Sequence, residues 1–153
     1  MIVQESIILE QKKLKISAGL VIIQDNKILL EHPTGSNWYG TYSIPKGQME
    51  DGEDALFTAL RETKEEIGLS INVDDIVSGP YSIDYTHVNI RRKLSNKETL
   101  YKKVYYYIVF PSNPILQKDL ILQKSEVDWA GFLTKDDAER RIHWRLKGVL
   151  NDF

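Results

Sequence analysis

Three glutamates, Glu62, Glu65 and Glu66, stand at i, i+3 and i+4 in a stretch of helical periodicity. Residues three and four apart share a helix face, so these carboxylates can converge. At about 100° per residue, a helix that buries Leu56, Leu60, Thr63 and Ile67 turns the three glutamates to another side. Like charges on one face repel each other, and a cation among them reverses the sign. Hard carboxylate oxygens suit Mg²⁺ or Mn²⁺, and Mg²⁺ commonly bridges carboxylates to substrate phosphates. Arg61 lies four residues before Glu65 and can pair with it, fixing that carboxylate's direction. Taken alone, an E-x-x-E-E pattern is an ordinary solvated helix face. The residues around it point elsewhere.

From Gly47 the chain reads GQMEDGEDALFTALRETKEEIGL. This resembles the Nudix box, the signature of the Nudix hydrolases, G-x5-E-x7-R-E-U-x-E-E-x-G-U with U a bulky aliphatic residue. Gly47, Glu53, Arg61, Glu62, Glu65, Glu66 and Gly68 fall in register, and Leu69 fills the last aliphatic place. The one departure is Thr63. It is β-branched and shaped like Val, so it bears on packing more than on chemistry. Seven fixed identities arise by chance with odds on the order of 10⁻⁹ per starting position. SAGLVI at 17–22 is similar to the family's first core strand, and SIPKG at 43–47 to the approach to the box. HPTG at 32–35, Trp38 and EVDWAGFL extend the resemblance toward predicted NTP pyrophosphohydrolases and bacterial diadenosine tetraphosphate hydrolases.

The resemblance implies hydrolysis of a nucleoside diphosphate linked to another moiety, by water attack on phosphorus with Mg²⁺, or alternatively Mn²⁺, as cofactor. It implies that Glu62, Glu65 and Glu66 are metal ligands, Glu66 foremost, joined by the main-chain carbonyl of Lys46. Arg61 belongs with the catalytic group as the holder of a carboxylate. Glu53 would orient the loop, and Gly47 and Gly68 would meet backbone requirements. The general base varies within the family; Glu126, just before the last strand, is the candidate outside the box, with Glu65 or Glu66 as alternatives. The side chain of Lys46 is a candidate phosphate contact. Trp38, Tyr39 and Tyr106 are candidates for a base pocket. Tyr106 faces opposite to Tyr105 and Tyr107 on a strand, and core packing alone also accounts for any one of them. His32 and His87 read as ordinary polar residues.

The leading expectation is a pyrophosphohydrolase of NTPs or dinucleoside polyphosphates. A second is removal of pyrophosphate from an RNA 5′ end, served by Arg91, Arg92, Lys93, Lys97, Lys102 and Lys103. Those residues equally suit a solvated hairpin tip guarded by lysine. A third is a nucleotide-sensing domain without catalysis, which the intact box acids disfavour.

The elements that must position these residues are legible in outline. Strands are expected at 2–9 and 16–24, with Asp25-Asn26 turning into KILLEH. Residues 33–47, with three glycines and two prolines, read as a long loop holding a short strand near 42–44. A helix is expected from Asp54 to Ile67, stopped by Gly68. β-rich segments follow near 71–78, 81–91 and 99–110, the last two forming a hairpin around 93–98. A strand is expected at 127–133. Thr134 to Asp137 resembles a capping box opening a helix to about Leu150. This order suggests an α/β or α+β sandwich with helices on a central mixed sheet, the α/β/α arrangement the resemblance also implies. Residues 1–15 read as an extension, an added strand or a dimer contact, before a domain at 16–153.

With 153 residues and 17.7 kDa, the chain is one domain able to bury a core without staples. It has no cysteine, which excludes a disulfide scaffold, a Cys-ligated zinc site, an iron–sulfur cluster and a Cys nucleophile. A net charge of −2 does not advertise nucleic acid or an anionic membrane as partner. Glu5 interrupts any signal-peptide core, and no apolar run could span a bilayer. The expectation is a cytoplasmic monomer or homodimer, without membrane contact, acting on a small nucleotide.

Overall fold

The apolar run after Leu14 becomes the long strand β1 (Leu14–Gln24) in a computed structural model that describes residues 14–90 and 97–153. Both faces of β1 are covered. Ala18, Leu20 and Ile22 pack into one core layer, Val21 and Ile23 into the other. Burial on both sides is what makes a strand read as continuous Val, Ile and Leu. Asp25 and Asn26 take positive φ, 53° and 58°, the backbone a two-residue hairpin demands, and return the chain into β2 (Lys27–Pro33).

The β1–β2 ladder has only the pairs Ile23↔Ile28 and Gln24↔Lys27. Beyond them the loop segment 43–48 lies between the two strands. Ser43 exchanges both backbone hydrogen bonds with Glu31, at 2.8 and 2.9 Å. Leu20 N–H donates to Pro45 at 3.1 Å, and β3 (Lys46–Gln48) pairs with Ser17–Gly19 of β1. A Cβ on Gly19 would overlap Pro45 and Lys46, so this close approach needs a glycine.

The remaining strands are β4 (Ile76–Ile90), β5 (Lys97–Val109) and β6 (Val127–Leu133). The sheet runs β4-β5-β1-β2-β6, with β3 on β1. It is mixed because β1 and β5 are parallel while the other pairs are antiparallel. Helix α1 (Ala55–Ile67) covers one face through Ala59 and Ile67. Helix α2 (Lys135–Arg141) and a 3₁₀ segment, Trp144–Asp152, cover the other through Ala138, Leu146, Val149 and Leu150. The expected α/β/α sandwich is the observed one. Among the described residues no helix is long and apolar enough to cross a membrane.

Three expected elements differ. Residues 71–75 are not strand: Val73–Asp75 form a 3₁₀ turn, because the Asn72 side chain accepts from Asp74 N–H at 2.9 Å and offers the backbone a local alternative. The segments expected at 71–78 and 81–91 are instead one strand, β4, with register shifts near Ser78. The C-terminal helix stops at Arg141 rather than near Leu150. There Tyr42 N–H donates to Arg141 and His143 N–H donates to Tyr42, both at 2.8 Å, and this bridge draws Ile142 into extended backbone. The β4–β5 hairpin is seen out to Ile90↔Lys97. Its expected tip and the expected strand at 2–9 lie outside the described residues, as does most of the expected extension at 1–15.

Helix α1 is delimited as its sequence suggests. Asp54 accepts from Phe57 N–H at 2.8 Å, and Gly68 closes the helix at φ 75°. Thr63 is fully buried, and its hydroxyl donates to the Ala59 carbonyl at 2.8 Å. That carbonyl belongs to the helix ladder, so losing the hydroxyl strands no acceptor. Thr63→Val is therefore expected to stabilise the fold by about 0.5 kcal/mol and leave activity within twofold. Urea denaturation checks the first part, and a clear loss of stability would show that the hydroxyl matters.

Candidate active site

Arg61 is the hub of the box acids. It pairs bidentately with Glu53, Nε–Oε2 at 2.6 Å and Nη2–Oε1 at 2.8 Å. Its Nη1 reaches Glu62 at 2.9 Å and Glu65 at 3.2 Å, and Nη2 donates to the Gln48 carbonyl at 3.2 Å. The expected Arg61–Glu65 pair is present, with Glu53 as the closer partner. Glu53 also accepts from Glu50 N–H at 2.8 Å and from the Thr58 hydroxyl at 3.0 Å, tying the loop before α1 to the helix. The Arg61 guanidinium, with these donors, holds the Glu53 carboxyl down at about 2. Its carboxylate partners keep Arg61 more firmly charged than usual.

The inner acids behave differently. Glu66 accepts from Lys46 N–H at 3.0 Å, which fixes it against β3. Burial pushes Glu66 up to about 7, against its interactions with Glu31 and that N–H. Burial also raises Glu62, against the pull of Arg61. A Cβ on Gly47 would fall inside the Glu62 carboxylate, so glycine is required for this approach. Glu65 is 51% exposed on the outer side.

One residue at this centre was not among those expected. Glu31 of β2 is 4% exposed, its carboxyl faces Glu66, and its Oε2 has no hydrogen-bond partner among the described residues. Burial, then the Glu66 charge, raises it well above the usual carboxylate range. The sequence did carry a signal: an acid inside the apolar run KILLEH of a strand covered on both faces.

On the other side of β3, an open pocket of about 310 Å³ is lined by Ser43, Lys46, Tyr85, Lys102, His143 and Arg145, among others. Burial lowers the Lys46 ammonium, with the Glu66 and Glu31 charges opposing. Arg145 lies over the Tyr85 ring at 5.3 Å. The expected aromatic candidates are elsewhere. Trp38 stacks on His32 at 3.8 Å and is 50% exposed, and Tyr39 is exposed beside Arg141. Tyr106 is 4% exposed in the core layer against Tyr81. None of the three lines this pocket. Tyr85, His143 and Arg145 carry no local motif, and only the packing of β4 against the C-terminal segment brings them together.

His32 is buried between Asp128, at 2.5 Å, and the Asn37 carbonyl, at 2.9 Å, and so anchors the loop that carries Trp38. That agrees with its reading as an ordinary polar residue. The side chain of His87 lies outside the described residues. Glu126 is exposed and its carboxylate has no partner among the described residues. Its turn is tied to the end of α1, since Gln123 N–H donates to the Glu66 carbonyl at 2.9 Å.

Among the described residues no three His, Asp or Glu side chains are already grouped to hold a metal ion. The donor set still fits a hard divalent cation. It is all oxygen, Gly47 leaves the space that Glu62 fills, and Glu31 Oε2 is a buried orphan.

The NUDIX domain family model matches residues 13–153. An 8-oxo-dGTP diphosphatase of Proteus vulgaris is 34% identical over 64 residues, 41% of this chain and 57% of that enzyme. The chain thus spans little more than half of this curated relative. A MutT NUDIX hydrolase from Burkholderia pseudomallei superposes with a TM-score of 0.62 at 15% identity, covering 90% of this chain and 96% of that one. A C. elegans Ap4A hydrolase, solved as a binary complex, gives 0.64 at 22% identity, covering 91% and 94%. At such identities the structural likeness speaks for the fold.

Proposed function

The chain belongs to the Nudix family, and from that premise we propose a Mg²⁺-dependent pyrophosphohydrolase that cleaves a phosphoanhydride in a nucleoside diphosphate-linked substrate. An NTP or a dinucleoside polyphosphate is the substrate of choice. The observation that carries this reading is the position of Lys46. Its N–H holds Glu66, while its side chain lines the pocket that also holds Lys102 and Arg145. An acidic centre and a basic pocket thus meet at one residue, as a bound polyphosphate beside a cation requires.

Glu62, Glu65, Glu66 and the Lys46 carbonyl would hold the cation. Bound there, Mg²⁺ supplies charge neutralisation at the phosphoryl oxygens and a more acidic water. Arg61 and Glu53 keep the helix and the preceding loop in one arrangement, so the carboxylates need not reorganise. Lys46, Lys102 and Arg145 would hold the phosphates, with the nucleobase lying in the open pocket beside Tyr85 and His143. With Glu62, Glu65 and Glu66 given to the cation, Glu126 is the candidate to accept the proton of the attacking water.

Product analysis with Mg²⁺ tests this on a panel of NTPs, 8-oxo-dGTP, diadenosine polyphosphates, ADP-ribose and 5′-triphosphorylated RNA. Metal-dependent cleavage of an NTP or a dinucleoside polyphosphate is expected. Lys102→Ala should raise KM by roughly tenfold with kcat little changed, as loss of a phosphate contact away from the reacting centre does. Cleavage of RNA alone would replace the substrate assignment. Tight nucleotide binding with no turnover would favour a sensing domain.

A further inference from the structure

We propose that Glu31 is a carboxylate of the metal centre, supplied from β2 outside the box and facing the cation together with Glu66. This rests on the hydrolase reading above.

The argument begins with the strand. In β2, Leu29 packs toward α1 while Ile28 and Leu30 pack toward the opposite layer. Side chains alternate, so Glu31 occupies the face of Leu29, beneath α1. An aliphatic residue would fill that position with no polar atom to satisfy. Glu31 cannot swing out to water. Its backbone exchanges hydrogen bonds with Ser43 on one side and lies opposite Ala130 of β6 on the other. Only 4% of the residue is exposed.

The surroundings of the carboxyl select its use. Its neighbours are Glu66, Lys46 and Glu62, the residues assigned to the cation. Among the described residues Oε2 has no hydrogen-bond partner. A buried carboxyl facing a second carboxyl, with one oxygen unpaired, is unfavourable in the protein alone. A hard divalent cation removes both faults, because carboxylate oxygen is its preferred ligand and its charge offsets the facing acids. A purely structural Glu31 would leave the orphan oxygen unexplained.

The test is Mn²⁺ binding by the whole chain without nucleotide, followed by the electron paramagnetic resonance of free Mn²⁺. Wild type, Glu31→Gln, Glu31→Leu and Glu66→Gln are compared. Both Glu31 variants are expected to weaken Mn²⁺ binding by roughly tenfold or more, and to raise the Tm of the metal-free protein by removing the buried acid. A smaller Mn²⁺-induced rise in Tm should accompany this. Mn²⁺ affinity within twofold of wild type in both folded variants overturns the proposal, and if Glu66→Gln still loses binding and activity, the hydrolase reading stands without it. Glu31-dependent Mn²⁺ binding in a protein that cleaves no panel member supports the proposal while sinking the hydrolase reading. Wild type that binds no Mn²⁺ overturns both.

Discussion

Glu66→Gln is expected to lower metal-dependent kcat/KM by on the order of 10³-fold while making the metal-free protein more stable at alkaline pH. Both effects follow from one placement. Glu66 is held by Lys46 N–H, largely buried, and faced by Glu31. Glutamine keeps the shape and removes the charge, so the loss in rate measures the carboxylate. The stability effect has a definite sign. The folded protein releases the Glu66 proton only near pH 7, the unfolded chain near its ordinary 4.5. Between these values the folded state binds more protons, so stability falls as pH rises through the window. A shift of this size costs about 3 kcal/mol above pH 7. The Gln variant lacks this titration, and Glu31 and Glu62, both raised by burial, contribute to the slope that remains. Urea denaturation of metal-free wild type and variant at pH 5 and pH 8 reads the difference. Equal slopes, or activity within tenfold of wild type, would count against this placement of Glu66.

Gly47→Ala should cost activity far more than stability. The added Cβ would coincide with the Glu62 carboxylate. That group is the far end of a flexible side chain, so the protein can yield by turning Glu62 away. Gly47 does not have a positive φ, so alanine adds no backbone strain. Turning Glu62 breaks its 2.9 Å contact with Arg61 and withdraws one of the oxygens assigned to the cation. The expectation is a fall in kcat/KM of roughly 10²-fold with Tm within a few degrees of wild type. Thermal melts and steady-state kinetics on the same preparation check it. Full activity would show that the close contact has no catalytic consequence.

The box was legible because its information is local. Helical spacing places Glu62, Glu65 and Glu66 on one side of α1, Asp54 and Gly68 delimit the helix, and Arg61 reaches its partners within the motif and its loop. The Asp25-Asn26 turn and the doubly buried β1 were readable for the same reason. The C-terminal helix was overextended because its end is decided by Tyr42, a residue remote in sequence that captures the backbone of Arg141 and His143. Trp38, Tyr39 and Tyr106 were aromatic residues in promising places. Stacking on His32, exposure beside Arg141 and packing on Tyr81 took them away from the pocket.

Sequence by itself determined the family, the sandwich architecture and the acids of α1, since each depends on residue identity at short, regular spacing. Tertiary structure alone decided that Glu31 meets Glu66, and that Lys46 joins the acids to a pocket shared with Tyr85, Lys102, His143 and Arg145. Those meetings follow from the separation of β1 and β2 and the entry of residues 43–48 between them. The physical reason is one of range. A helix repeats through hydrogen bonds between near neighbours, whereas strand pairing joins distant segments, and one strand's sequence does not name the strand beside it.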